Sequence, residues 1–268
     1  MDEEPGTLLA AGEPAPVTVH NADGASPFLL VADHAGNLMP RVLGRLGLAE
    51  AECRRHIAWD IGIAPLGRFL ADALDAVLIE QNYSRLVIDC NRPPGSASSI
   101  AQVSELTPIP GNVGLTDAQK AVREQEIFRP YHDRIAGALD ARGRVGRVTV
   151  LIALHSFTPV FEQVARPWQA AVLYNRDKRL SHHIAALLTA ETGLSIGDNE
   201  PYVVTDATDY TIPVHGERRG LLHALIEIRQ DLIADDEGQR AWAVRLARIL
   251  PQAYGEAVAA AAAPSASR

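Results

Sequence analysis

Two histidines stand directly after two strongly apolar segments of the sequence. His34 follows residues 28–33, and His155 follows residues 148–154. Short segments rich in Val, Leu and Ile are typical of strands buried on both faces of a parallel sheet. Ligands of open α/β sheets bind beyond the carboxyl ends of such strands, so two imidazoles placed there predict a metal site. Two unrelated, hydrogen-bonded histidines are the alternative interpretation.

A carboxylate is the expected third member of this site. Asp60 stands at the start of a predicted helix, where it is either a metal ligand or the residue that caps the helix. Two histidines and one carboxylate leave a fourth position on zinc for water or substrate, as catalysis requires. Asn37 is a weak ligand, a hydrogen-bond donor or a turn residue, and the turn is favoured. His56 is either a partner that contacts a metal ligand or a surface residue, and the surface position is favoured.

A second carboxylate lies within an apolar strand candidate. Glu227 belongs to the segment 221–228, and a charged residue in such surroundings is seldom left without a partner. It either forms a salt bridge with a neighbour such as Arg229 or serves as a general base whose pKa is adjusted by burial.

Two arginines flank a further apolar segment. Arg85 and Arg92 bracket a predicted strand at 85–89, and guanidinium groups near a sheet end suit the capture of carboxylates. A structural ion pair with Asp89 or Glu80 is the alternative.

The segment 215–220 combines glycines with basic side chains. His215 and Arg219 are its candidates for substrate contact, and a solvated charge cluster is the alternative. The nucleotide-binding patterns G-x-x-x-x-G-K-[ST] and G-x-G-x-x-G, the hydrolase pattern G-x-S-x-G and the zinc pattern H-E-x-x-H do not occur.

The composition narrows the class of protein. The 268 residues are 47% hydrophobic and carry a net charge of −8, which argues against binding to a nucleic acid backbone. Cys53 and Cys90 lack C-x-x-C spacing, so no disulfide framework is expected. The sequence shows neither a secretory signal nor an apolar segment of membrane-spanning length, so the prediction is a cytoplasmic protein that contacts no membrane. The oligomeric state is not indicated.

Strand and helix candidates alternate along the chain. The predicted strands are 28–33, 75–80, 85–89, 148–154, 169–174 and 221–228. The predicted helices are 48–54, 60–73, 117–141, 179–193 and 237–258. This order predicts an α/β fold with a mixed, largely parallel central sheet and helices on both faces. We expect a flexible arm at 1–16, a single domain at 17–258 and a disordered tail at 259–268.

Five motifs, in this order, resemble the N-formylglutamate amidohydrolase family over about residues 18–235. They are DHAGNLMP at 33–40, HIAWDIG at 56–62, SRLVIDCNR at 84–92, LHS at 154–156 and LIEIR at 225–229. The resemblance implies a zinc-peptidase-like fold, related to zinc carboxypeptidases and aspartoacylase. It also implies one zinc ion and hydrolysis of a linear amide in a small N-acyl amino acid.

The wider zinc-peptidase pattern implies roles for individual residues. The matching positions are His34 and His155 as metal ligands, Asn91 and Arg92 on the substrate carboxylate, and Glu227 as general base. The glutamate of the H-x-x-E ligand motif is replaced by Asn37, so Asp60 is the candidate third ligand. The Asn-Arg pair also precedes the second histidine, which departs from the pattern.

These observations lead to one hypothesis with two alternatives. The sequence predicts a zinc amidohydrolase for an N-acyl amino acid such as N-formylglutamate, in which Arg85 steadies the developing oxyanion. The first alternative is a hydrolase of another small N-acyl amino acid or peptide. The second is a binding protein that has lost the metal. The expected partner is a small molecule in each case.

Overall fold

The computed structural model describes residues 7–262, and a seven-stranded sheet runs through their centre. Its strands are β1 (Val17–His20), β2 (Phe28–Ala32), β3 (Val77–Gln81), β4 (Val150–Phe157), β5 (Ala170–Leu173), β6 (Ile196–Asp198) and β7 (Leu222–Arg229). Their order across the sheet is β1-β3-β2-β4-β7-β5-β6. Two short hairpins stand outside the sheet and pair Val103–Ser104 with Thr107–Pro108 and Val160–Phe161 with Val164–Ala165.

The four central strands are parallel to one another. β3, β2, β4 and β7 run in one direction, whereas β1 is antiparallel to β3 and β5 is antiparallel to β7. Every residue of β2, β3 and β4 is buried, as expected for strands covered on both faces. The prediction of a mixed, largely parallel sheet is confirmed.

Helices cover both faces of the sheet, which also agrees with the prediction. The helices are α1 (Ile63–Leu74), α2 (Asp117–Arg123), α3 (Arg129–Arg144), α4 (Ser181–Thr189) and α5 (Asp236–Ala262). Alternate residues of a strand face opposite sides. Leu30 and Ile152 accordingly pack in the core formed with α1, α4 and α5, while Leu29 and Leu151 pack in the core formed with α3. In the part of the chain described, no helix is long and apolar enough to cross a bilayer.

Two element predictions are wrong. Residues 86–89 are buried, but the segment 85–89 forms a turn at 85–87 and no strand, because both edges of β3 are already occupied by β1 and β2. Their main-chain groups bond to loops instead, with the N–H of Asp89 donating to the carbonyl oxygen of Ser99 at 2.7 Å. Within 48–54 the chain forms only the 3₁₀ turn Glu52–Arg54, since its hydrogen bonds span three residues rather than four.

The described part of the expected N-terminal arm is held against the domain. Leu8 is buried, and the main-chain N–H groups of Leu8 and Leu9 donate to the carboxylate of Glu126 at 2.9 and 2.7 Å. At the other end, α5 continues beyond residue 258 to Ala262. Residues 1–6 and 263–268 of the expected arm and tail lie outside the described residues.

Candidate metal centre

Two imidazoles and one carboxylate form a buried cluster at the edge of the sheet. His34 follows β2, His155 lies in β4 and Asp60 precedes α1; one ligand atom from each lies within 4.8 Å of the others. The N–H of Asp60 donates to the carbonyl oxygen of His34 at 2.9 Å, which holds the loop before α1 beside β2. Asp60 does not cap α1, whose N-cap residue is Gly62. The structure thus brings together the three residues predicted as metal ligands.

Each imidazole is oriented by a carboxylate of its own. Nε2 of His34 lies 2.7 Å from Asp89 Oδ1, and Nε2 of His155 lies 3.0 Å from Asp33 Oδ2. The two Nδ1 atoms approach one oxygen of Asp60, at 3.5 Å from His34 and 3.0 Å from His155. Such carboxylate–histidine pairs select the ring nitrogen that is left for a metal.

Sequence reasoning missed Asp33 and saw Asp89 only as an ion-pair partner. Asp33 Oδ1 also accepts a 2.7 Å hydrogen bond from the hydroxyl of Thr211. Burial acts to raise the pKa of Asp33, but the imidazole of His155 lowers it to about 2. The available signal was an aspartate at the end of an apolar segment, directly before a candidate ligand.

The cluster fits a zinc ion by two observations. Tetrahedral zinc with bonds of 2.0–2.2 Å separates its ligand atoms by roughly 3.4 Å, and Asp60 Oδ2 lies 3.5 and 3.0 Å from the two Nδ1 atoms. Nδ1 of His34 is buried and, within residues 7–262, has no hydrogen-bond partner. Burial disfavours the charged carboxylate of Asp60 and so acts to raise its pKa. His34 and His155 outweigh this effect and hold the pKa far below its usual range.

Glu227 lies beside the cluster on the neighbouring strand. It is the β7 partner of His155 in β4. His155 lies inside its strand rather than after it, because pairing with β7 continues as far as Phe157. Glu227 Oε2 is buried without a hydrogen-bond partner among the described residues. Burial raises the pKa of this carboxyl to about 7.

The two predicted arginines differ in their surroundings. Arg85 donates to Asp89 Oδ2 from Nε at 2.9 Å and from Nη2 at 2.6 Å, and its Nη1 lies 3.5 Å from Asp60 Oδ1. Arg85 is therefore held by the same carboxylate that orients His34. Arg92 donates from Nη1 to the carbonyl oxygen of Thr208 at 2.7 Å. In the region from residue 7 to 262, its Nη2 makes no hydrogen bond.

Asn91 has both ends of its amide engaged. Its Nδ2 donates to Asp209 Oδ1 at 3.1 Å, and its Oδ1 accepts from the N–H groups of Tyr210 and Thr211 at 3.1 and 3.0 Å. The side chain predicted to contact substrate thus holds the segment 209–211, which also carries the hydroxyl that bonds to Asp33.

A cavity of about 560 Å³ opens onto the cluster. Its lining contains all three candidate ligands together with Glu227, Arg85, Asn91 and Arg92. His56, expected at the surface, also lines the cavity, and its Nε2 lies 3.4 Å from Glu105 Oε2.

Three residues considered from the sequence lie elsewhere. Asn37 lies outside any turn and donates to the carbonyl oxygen of Cys53 at 3.4 Å, so it is a hydrogen-bond donor rather than the favoured turn residue. His215 is buried with its Nε2 3.0 Å from His132 Nδ1, and Arg219 forms an ion pair with Asp140. None of the three lines the cavity. The structure therefore does not bring His215 and Arg219 to the site.

The model of the N-formylglutamate amidohydrolase family matches residues 26–234. The chain belongs to this family. A search of curated proteins gave no match. Membership makes the chain an amidohydrolase-family protein and confirms the resemblance drawn from the five motifs.

Two solved structures are similar to this family member. The gene product Atu2144 from Agrobacterium tumefaciens is 36% identical, with a TM-score of 0.90 over 93% of this chain and 98% of that chain. The N-formylglutamate amidohydrolase from Ralstonia eutropha JMP134 is 19% identical, with a TM-score of 0.64 over 89% of this chain and 99% of that chain. The second similarity concerns the fold alone.

Proposed function

We propose that this protein is a zinc-dependent amidohydrolase that cleaves the amide bond of an N-acyl amino acid, with N-formyl amino acids such as N-formylglutamate favoured. The observation that carries the proposal is the juxtaposition of Glu227 with the cluster of His34, Asp60 and His155 in one cavity. Membership of an amidohydrolase family supports the reaction class. Asp60 provides the third ligand that the sequence lacks at Asn37, so the case for a binding protein without metal loses its main support.

The metal-binding cluster and Glu227 have different roles in hydrolysis. His34, Asp60 and His155 would hold one zinc ion, which would supply a Lewis acid to polarise the amide carbonyl and acidify water. Glu227 takes a proton from the attacking water and delivers it to the departing amine nitrogen as the C–N bond breaks. A pKa of about 7 suits both transfers at neutral pH.

Two arginines near the cluster contact the substrate. Arg85, held by Asp89, places its guanidinium beside the developing oxyanion. Arg92 binds the carboxylate of the amino acid through Nη2. Asn91 contributes by holding the segment 209–211 in place.

Metal analysis and a substrate panel test the proposal. Protein purified without a metal-affinity tag is expected to contain one zinc per chain and to hydrolyse N-formyl amino acids. N-acetyl amino acids and dipeptides in the same panel test the second candidate, a hydrolase of larger amides, which the cavity of about 560 Å³ favours. Absence of zinc, together with no activity after zinc is added, contradicts both candidates.

The substitution Glu227→Gln tests the general base. It removes the proton acceptor but keeps the shape of the side chain, so zinc content is expected to be unchanged while kcat falls by about 10²–10⁴. Glu256→Gln on α5, a carboxylate outside the cavity, is the control. Normal turnover in the Glu227 variant excludes this residue from the reaction.

A further inference from the structure

Large exposed apolar side chains gather around the mouth of the cavity. Val103, Tyr202 and Val203 line the cavity, yet they are 57%, 41% and 61% exposed. The two short hairpins that carry or adjoin these residues add further exposed side chains, namely Leu106, Val160 and Val164. Exposed apolar residues scattered singly need no explanation, whereas a grouping at a cavity mouth marks a binding surface.

The mouth is held in shape by contacts within the protein. The guanidinium of the buried Arg166 lies 4.7 Å from the ring centre of Phe161 and 4.8 Å from that of Tyr202, and it donates to the Tyr202 hydroxyl at 2.9 Å. The two hairpins meet where the N–H of Glu162 donates to Glu105 Oε1 at 3.3 Å. A surface already in place loses little entropy when a ligand covers it.

Apolar wall continues from the mouth towards the cluster. Leu86, Ala101, Leu173 and Leu225 line the cavity, and Leu225 lies two residues before Glu227, on the same face of β7. The apolar surface therefore reaches the place where the amide bond is expected to break.

Most charged groups of the wall already have partners in the protein. Arg85 is paired with Asp89, and Asp209 accepts a hydrogen bond from Asn91. Glu105 is paired with Arg55, whose guanidinium lies outside the cavity. A second carboxylate on the substrate, such as the side chain of glutamate, would have to compete for groups that are already bound. An apolar group would cover exposed apolar surface at no such cost.

We infer that the substrate carries a large apolar group that lies against Val103, Tyr202 and Val203. This inference rests on the proposed hydrolysis of N-acyl amino acids and narrows the substrate within that class, since an apolar N-acyl amino acid then replaces N-formylglutamate as the favoured substrate. The apolar group is either the side chain of the amino acid or an extended acyl chain, since both would leave the amide bond near the cluster and reach the same wall.

A panel of substrates separates these two sources. One arm compares N-formylalanine, N-formylleucine and N-formylglutamate, and the other compares N-formylalanine with N-butanoylalanine and N-octanoylalanine. Burial of one methylene is worth about fourfold in kcat/KM. One of the two arms varies the part of the substrate that contacts the apolar wall. In that arm, kcat/KM of the larger apolar substrate is expected to exceed that of N-formylalanine by at least about tenfold. N-formylglutamate is expected to show no such gain.

A double variant ties the preference to this surface. Val103→Thr with Val203→Thr keeps the side-chain shape but replaces two methyl groups by hydroxyls, so the gain of the apolar substrate over N-formylalanine is expected to fall by roughly tenfold. Val148→Thr is the matched control, because Val148 is 58% exposed and lies outside the cavity, before the start of β4.

The outcomes distinguish failure of the inference from failure of the proposed function. Cleavage of N-formylalanine or N-formylglutamate without any gain for apolar substrates overturns the inference and leaves the hydrolase intact. A gain that survives the double variant also overturns it. Sedimentation velocity supplies a further check, because a dimer that the double variant dissociates, with substrate ratios unchanged, would make the mouth a contact between copies of the chain. Failure to cleave any member of the panel contradicts the proposed function itself.

Discussion

Each imidazole of the candidate metal centre has a dedicated carboxylate behind it. Asp89 holds Nε2 of His34, and Asp33 holds Nε2 of His155, so both rings present Nδ1 to the side on which Asp60 lies. A neutral imidazole donates from one nitrogen and binds a metal through the other. These hydrogen bonds therefore set the tautomer as well as the direction of each ring.

Asp33 is expected to contribute to the affinity of the cluster for zinc. Asp33→Asn keeps the size of the side chain but removes the negative charge beside His155, so the Kd for zinc is expected to rise by about 10- to 100-fold. Competition with a chromophoric chelator measures it. Asp72→Asn, which alters a histidine–carboxylate pair with His20 on the surface, is the control and should leave the Kd unchanged. An unchanged Kd in the Asp33 variant contradicts the orienting role.

At the residue scale, residue types could be predicted better than their partners. His34, Asp60 and His155 could be singled out because metal ligands have few chemical types and sheet ends are recognisable. The hydrogen bond from His155 to Asp33 could not be predicted. It depends on how the imidazole ring is rotated, and several polar groups lie around that ring. The bonds from the amide of Asn91 to segment 209–211 could not be predicted either, because that segment is distant in the sequence.

At the scale of elements, the turn into α1 decides where Asp60 stands. Gly62 caps the helix with φ of +82°, and a Cβ at this position would lie 2.1 Å from the carbonyl oxygen of Ile233. Glycine alone fits both the left-handed conformation and the close approach of a second chain segment. The turn is therefore fixed by packing as well as by its own conformation.

Replacement of this glycine tests the turn. Gly62→Ala is expected to reduce the free energy of unfolding by about 2–4 kcal/mol, because the strain of positive φ adds to a backbone clash. Gly114→Ala is matched in φ, at +70°, but has open space around it. Its cost should be near 1 kcal/mol. Urea denaturation compares the two, and equal costs would mean that the contact with Ile233 is unimportant.

Strands could be predicted where the segment has a clear apolar pattern and also finds a neighbouring strand to pair with. β2, β4, β5 and β7 lie within a few residues of their predicted positions. The segment 85–89 could not be assigned correctly, because its three apolar residues at 86–88 are buried equally well in a strand or in a loop. Its own sequence does not tell whether a sheet edge is open to it, and β1, which closes that edge, gives only a weak apolar pattern.

At the scale of the whole molecule, α3 is joined to the strand-end loops through two buried histidines. His132 Nδ1 lies 3.0 Å from His215 Nε2, and His132 Nε2 lies 2.7 Å from the carbonyl oxygen of Cys90. Burial lowers the pKa of His132 to about 4 and that of His215 to about 3. Both side chains are therefore neutral in the folded protein at neutral pH.

These shifts predict a loss of stability in mild acid. An unfolded histidine takes up a proton below about pH 6.5, whereas folded His132 resists protonation until about pH 4. Stability is thus fully present above pH 6.5 and falls as the pH decreases towards 4, by roughly 3 kcal/mol for this group. His132→Gln should flatten the profile of unfolding free energy against pH, while the exposed His182→Gln should not. Parallel profiles for wild type and His132→Gln would contradict this account.

The antiparallel direction of β5 has a consequence for engineering. The chain leaves β4 and enters β5 at the same edge of the sheet, so the hairpin that carries Phe161 is anchored at both ends beside the candidate metal centre. Such a segment can be exchanged for a longer or shorter one without rethreading any strand. If the proposed function holds, grafting hairpins from related family members between residues 157 and 170 is expected to change substrate selectivity while the proposed base, Glu227, stays in place.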